Sequence, residues 1–314
     1  MQDPVYSEIM DRPRPGIFAT SGLTLLAAAG LWVSALATFA FGAETGLAAV
    51  NLAYYLPFVL VPAAVYLLRR PETRAAARLN PLPLVPTLAV ILLGLLSVYA
   101  ASALAALWQL LTDALGLPAI GEAPVIRNPR ELTLAIVMMA ALPAACEELL
   151  FRGLVMSAWE SRGTYFAIGV SGAMFALLHG NITGLPAYLL VGAVSGYLVF
   201  ALDTLYAGIV YHTVYNAACL VIPYLASNQT QPETAPEAAL LASMLWQTLL
   251  VFGMMAMLLV SLRSRARQEN RIVIPRIRRP VEGRDRIMLL AAVLAMAAST
   301  VVVAALSMRM GGSA

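Results

Sequence analysis

Nine apolar runs follow one another along the chain, and short polar segments separate them. A helix needs about 20 consecutive apolar residues to cross a bilayer, so the pattern predicts an all-α, polytopic membrane bundle. The fifth and sixth runs are short, which leaves eight spans as the alternative to nine. The predicted spans are 17–41, 47–68, 83–112, 132–159, 164–180, 184–202, 204–226, 238–262 and 287–308.

The composition agrees with a fold whose main solvent is lipid. Hydrophobic residues make up 61% of the 314 residues, and only 12% are charged, whereas soluble domains carry about 25% charged residues. The first apolar run exceeds the roughly 7–15 residues of a signal-peptide core, so it is interpreted as a transmembrane helix. The basic residues are all arginine and alanine is abundant, which favours a prokaryotic inner membrane as the location.

The arginines indicate how the chain is oriented. They concentrate in the segment between spans two and three and in the segment between spans eight and nine, whereas the opposite loops hold few. Cytoplasmic loops carry the excess of arginine and lysine, so the N-terminus is predicted to be cytoplasmic. The first segment holds Arg69, Arg70, Arg74 and Arg78, and the second is basic from Arg263 and Arg265 through Arg278, Arg279 and Arg286, whereas the opposite side has Arg127, Arg130 and Arg309.

Two adjacent glutamates lie inside the fourth apolar run. A carboxylate at bilayer depth costs at least a few kcal/mol, and such residues generally mark functional sites. Glu148 and Arg152 are four residues apart, so they share a helix face and can form an ion pair. Glu147 is rotated by about 100° from Glu148 and has no such partner on its own helix. The spacing therefore predicts a supporting pair, Glu148–Arg152, beside a working carboxylate, Glu147. A purely structural charge cluster is the alternative.

Both histidines of the chain also lie in apolar runs. Glu147 and His179 are at similar sequence distances from the predicted turn near 161–164, so an antiparallel hairpin would place them at one depth as a candidate general-base pair. His212 and Asn216, four apart on the seventh run, can both donate hydrogen bonds to a developing oxyanion. Structural helix–helix contacts are the simpler alternative. Cys146 precedes Glu147 but is interpreted as a small buried residue.

Three short motifs together resemble a known family. They are Glu147-Glu148-Leu-Leu-Phe-Arg152, Phe175-x-x-x-His179 and His212-x-x-x-Asn216, and they are similar to the motifs of the CAAX protease and bacteriocin-processing family of intramembrane proteases. The resemblance covers about residues 130–222. It implies that Glu147 with His179 activates the attacking water, that His212 and Asn216 line the oxyanion site, and that Glu148, Arg152 and Phe175 support them.

The resemblance also suggests how the chain divides. We expect N-terminal transmembrane helices over 1–129, a catalytic core over 130–226, and C-terminal helices with a basic cytoplasmic linker over 227–314. His179, His212 and Glu147 could supply the three protein ligands of a catalytic zinc. No two ligands share a helix in an HExxH arrangement, however, and Asn216 is a poor zinc ligand. A metal-free mechanism is therefore favoured, with zinc as the alternative.

The sequence thus predicts an intramembrane endopeptidase that hydrolyses a peptide bond of a membrane-associated protein or peptide, including lipidated ones. Its expected partners are that substrate and the lipid bilayer, without nucleic acid. A non-catalytic membrane scaffold or immunity-type protein of the same fold is the main alternative. A proton-coupled transporter is weaker, because transporters often contain inverted repeats and the chain shows none.

Overall fold

A computed structural model of the chain describes residues 14–41, 52–69, 77–117, 125–226, 237–268 and 282–311. Every regular element within these ranges is helical, which confirms the predicted all-α class. We number the helices α1 to α9 in chain order. They are α1 Ile17–Phe41, α2 52–69, α3 Leu84–Ala114, α4 Pro129–Arg162, α5 Thr164–Leu178, α6 Leu185–Leu202, α7 Leu205–Ala226, α8 Glu237–Gln268 and α9 Gly283–Gly311.

Six of these helices are long and apolar enough to cross a membrane, namely α1, α3, α4, α6, α7 and α8. Helices α2 and α5 are apolar but shorter. The side chains of α9 are described only in part, so the choice between eight and nine spans stays a prediction. At a rise of about 1.5 Å per residue, α3 is longer than the roughly 30 Å hydrocarbon layer, so it must tilt or project.

Helix α4 is irregular in a way that the hydrophobic pattern does not reveal. Two of its stretches, Ile136–Ala141 and Leu149–Met156, have π-helical geometry. Pro143 follows the first stretch and cannot donate the backbone hydrogen bond of a regular helix. The second stretch begins directly after Glu148. Such π-helical stretches re-aim the side chains around them and are frequent at functional sites.

Small residues bring the central helices close together. A Cβ on Gly192 of α6 would lie 3.0 Å from the Cα of Gly172 on α5. On α3, Gly94 lies against α7, and the Tyr211 hydroxyl of α7 donates to Ser97 Oγ at 2.8 Å. In lipid, where apolar burial between helices gains little, close packing and interhelical hydrogen bonds hold a bundle together. These contacts position α5, α6 and α7 around α4.

A buried polar cluster ties four connections together at one end of the bundle. Arg78, before α3, pairs with Glu160 at the end of α4 and with Asp203 Oδ1 at 2.9 Å in the α6–α7 turn. Arg14, before α1, lies 3.7 Å from Glu160, and Asn80 Nδ2 donates to the Asp203 carbonyl at 2.7 Å. The alternation of spans predicts that these four connections share one membrane side, and the structure places them together. The predicted loop 227–237, apart from its last residue, and most of the basic linker lie outside the described residues.

Candidate active site

The predicted pair in α4 forms, and it is completely buried. Arg152 Nη1 lies 2.9 Å from Glu148 Oε1, and neither side chain is exposed. Although that contact is short, its geometry is that of an ion pair, not of an aligned hydrogen bond. Arg152 Nη2 donates to the Gly192 carbonyl of α6 at 2.9 Å. Arginine suits this position because its planar fork reaches a carboxylate and a carbonyl at once.

Glu148 accepts further hydrogen bonds from two other helices. Ser195 of α6 donates to Glu148 Oε2 at 2.6 Å, and His212 Nδ1 of α7 lies 3.2 Å from Glu148 Oε1. Because Arg152 pairs with the ionised carboxylate, we assign the proton of this contact to His212 Nδ1. Gly208, one turn before His212, makes the approach possible because it has no side chain. A Cβ added at this position would stand 2.5 Å from Glu148 Oε2.

Glu147 points away from this pair, as its rotation on the helix predicts, and it is 4% exposed. Its Oε1 accepts a hydrogen bond from the Tyr55 hydroxyl of α2 at 2.6 Å. Its Oε2 lies 3.8 Å from His212 Nε2, which is too long for a direct hydrogen bond. Within the described residues, Glu147 thus finds no partner on its own helix, as the spacing predicts, but a helix distant in sequence supplies a donor. The imidazole that lies within 4 Å of Glu147 Oε2 is that of His212.

His179 caps α5 and is held by two contacts. Its Nδ1 lies 2.9 Å from the Phe175 carbonyl. Because a carbonyl only accepts, this nitrogen carries the proton, and Nε2 of the neutral ring keeps its lone pair. Tyr188 of α6 stacks on the imidazole with ring centroids 4.0 Å apart and an interplanar angle of 21°. The ring is thus fixed in both orientation and tautomer.

Phe175 links the predicted site residues into one cluster. Its ring centroid lies 4.7 Å from that of His179 and 5.3 Å from that of His212. The Arg152 guanidinium lies over the same ring, with Cζ 4.7 Å from the centroid, within the range of a cation–π interaction. The two histidines therefore flank one aromatic side chain, beside the glutamates.

Asn216 lies one turn beyond His212 on α7, and its side chain is half-buried. Its amide makes no hydrogen bond with the residues that the structure describes. Cys146 is buried and carries a free thiol, as its interpretation as a buried residue predicts.

Several atoms of the residues named for zinc are already engaged by neighbouring groups. Within the described part of the chain, no group of three or more histidine, cysteine, aspartate or glutamate side chains is arranged to hold a metal ion. Both Nδ1 atoms are already bonded, and Glu147 Oε1 is held by Tyr55. The atoms that remain available are His179 Nε2, His212 Nε2 and Glu147 Oε2, and the choice between zinc and a metal-free mechanism stays a prediction.

The sequence pattern did not predict four residues of the cluster, namely Tyr55, Tyr188, Ser195 and Gly208. Helical spacing relates residues on one helix, whereas these four meet the site through packing between helices. The predicted site drew on spans four, five and seven; helices α2 and α6 also contribute. The sequence signals were weak: a tyrosine pair in an apolar run, and a glycine four residues before His212.

One family model matches the part of the chain that builds this cluster. Residues 129–218 match the model described as Rce1-like, type II CAAX prenyl endopeptidase Rce1-like. The chain carries an Rce1-like segment. The match confirms the resemblance predicted from the three motifs.

The Rce1-like segment spans less than a third of the 314 residues. It contains the two glutamates, both histidines and Asn216, but not Tyr55. No curated protein and no solved structure matches the chain significantly. The family-model match and the apolar helices together indicate an integral membrane protein. The cytoplasmic N-terminus, the prokaryotic inner membrane and the division at 129 and 226 stay predictions.

Proposed function

We propose that this protein is an intramembrane endopeptidase in which Glu147 and His179 activate a water molecule for attack on a peptide bond. The observation that carries the proposal is the state of Glu147. It is a buried carboxylate with one oxygen held by Tyr55 and the other facing His212. A general base needs a fixed orientation and one oxygen free to accept a proton, and Glu147 Oε2 meets both conditions.

The two acceptors divide the hydrogens of the water. Glu147 Oε2 takes one proton as the water oxygen bonds to the scissile carbon, and His179 Nε2 accepts a hydrogen bond from the other. The electron pair of the carbonyl moves to its oxygen. That pair then re-forms the carbonyl as the C–N bond breaks, and the proton held by Glu147 passes to the leaving nitrogen. Water is the nucleophile, so no acyl-enzyme forms.

The developing oxyanion needs donors on the α7 side. The Asn216 amide is not engaged by the described residues, and His212 Nε2 donates when the ring carries a second proton. Preorganised donors of this kind are commonly the largest contribution to acyl-transfer catalysis. The bond from His212 Nδ1 to Glu148 aims Nε2 away from that carboxylate, toward Glu147.

The charges of the cluster favour proton movement. Arg152 balances Glu148, which leaves the charge of Glu147 to be balanced by His212. Whether Glu147 or His212 holds the additional proton, these four side chains together carry no net charge. Transfer between them therefore avoids the cost of an unpaired charge in a low-dielectric site.

The proposed substrates are membrane-associated proteins or peptides, including lipidated ones. The test is a comparison of protein termini in cells that carry the wild-type chain or Glu147→Gln. New termini that need the wild-type chain are expected. Identical termini in the two strains would favour the scaffold function of the same fold instead.

A further inference from the structure

We infer that Tyr55 is a positioning residue of the active site, and that helix α2 completes a catalytic centre whose other residues lie in the Rce1-like segment. The inference rests on the proposed function, since it assigns Tyr55 the task of holding Glu147. Tyr55 precedes that segment by more than 70 residues, so its role comes from the fold and not from the matched motifs.

The contact between the two side chains is short and directional. The Tyr55 hydroxyl donates to Glu147 Oε1 at 2.6 Å, within the 2.5–2.7 Å range of a hydroxyl bound to a carboxylate. Such charge-assisted bonds are roughly twice as strong as neutral ones. No residue of α4 provides an equivalent donor, and Arg152 is occupied by Glu148 and Gly192. Tyr55 therefore sets which oxygen of Glu147 faces His212.

The backbone of α2 explains how the hydroxyl reaches this depth. Tyr55 immediately precedes the π-helical segment Leu56–Leu60, whose sequence begins with Leu56 and Pro57. One turn further on, Phe58 packs so closely on Gly30 of α1 that a Cβ there would overlap its ring. The π-helical turn and this close contact fix the rotation of α2, and hence the direction of Tyr55.

Tyr54 provides a matched control on the same helix. Its ring packs against that of Tyr55, with centroids 4.7 Å apart, and it is 5% exposed. Its buried hydroxyl, however, has no hydrogen-bond partner among the described residues. Tyr54→Phe and Tyr55→Phe therefore delete the same atom from neighbouring side chains, and only one deletion removes a bond to Glu147.

The kinetic test compares these two variants in proteoliposomes, by their cleavage of a substrate identified from the comparison of termini. Tyr55→Phe is expected to lower kcat about tenfold or more, because bonds to charged groups contribute most, and to leave KM within about twofold since the hydroxyl meets Glu147 and not the substrate. Tyr54→Phe is expected to keep kcat within about twofold. Equal effects of the two variants, or a change in KM alone, would overturn the inference.

A stability cycle tests the same contact without activity. The unfolding midpoint is measured for the wild type, Tyr55→Phe, Glu147→Gln and the double variant. The shift caused by Tyr55→Phe is expected to be smaller when Glu147 is already Gln, since contacting residues are not additive. Additive shifts would contradict the contact. If the shifts are not additive but the wild-type protein cleaves no substrate, the contact between Tyr55 and Glu147 stands and the proposed peptidase activity is rejected.

Discussion

Gly208 lies directly against the carboxylate of Glu148. A methyl group at Gly208 would stand 2.5 Å from Glu148 Oε2 and 2.9 Å from Ser195 Oγ. Both atoms belong to one buried hydrogen bond, so neither can retreat into open space. The absence of a side chain at this position is what allows α7 to bring His212 within hydrogen-bond distance of Glu148.

Gly208→Ala is therefore expected to damage both stability and activity. Overpacking of this kind costs about 1–3 kcal/mol, and displacement of Glu148 should also lower kcat. Gly169→Ala is the control, because a Cβ at Gly169 on α5 meets nothing within 4 Å. It should leave the unfolding midpoint unchanged or slightly higher. Equal midpoints for the two variants would argue against the close packing.

The ion pair of α4 should show strong coupling. Arg152→Met leaves Glu148 buried without its charge partner and is expected to cost about 3–5 kcal/mol. Adding Glu148→Gln removes that unbalanced charge, so the double variant should be more stable than Arg152→Met alone. Unfolding of the three variants in detergent measures this. A double variant that is less stable than either single one would show that the charges do not compensate each other.

The Arg78 cluster is predicted to stabilise the fold without serving the site. Burial lowers the pKa of the Arg78 guanidinium, but attraction to Glu160 and Asp203 outweighs it and holds the pKa above its ordinary value. Arg78→Met leaves two carboxylates without this partner and should cost about 3 kcal/mol or more.

Arg284→Ala is the matched control, because Arg284 is 70% exposed in its pair with Glu282 and exposed pairs contribute about 0–1 kcal/mol. Folded Arg78→Met protein should keep the wild-type kcat. A specific loss of kcat at unchanged stability would instead place Arg78 in the catalytic machinery.

Metal removal is expected to leave activity intact. The residues considered as zinc ligands do not converge as a metal site within the described residues, and the proposed water activation needs only carboxylate and imidazole. Purified protein treated with a chelator should keep its rate of cleavage. Loss of that rate, with recovery on adding zinc, would contradict the metal-free mechanism.

The sequence predicts much of this arrangement because lipid restricts the choice of structure. Apolar runs of this length must become helices, and spacing along one helix correctly pairs Glu148 with Arg152 and separates Glu147 from them. Tyr55 could not be predicted, because which distant helix lies against Glu147 depends on packing. The π-helical stretches and the Gly208 contact could not be predicted either, because hydropathy determines neither the register of backbone hydrogen bonds nor how closely two backbones approach.

The central claim is that Glu147 is the general base of a peptidase. The most direct measurement is cleavage by purified Glu147→Gln protein in proteoliposomes, on a substrate identified from the comparison of termini. Glu131→Gln is the control, because Glu131 only caps the start of α4, where it accepts from the Arg127 backbone N–H and the Asn128 amide. Folded Glu147→Gln should show no cleavage while Glu131→Gln cleaves at the wild-type rate. Full cleavage by Glu147→Gln would contradict the mechanism.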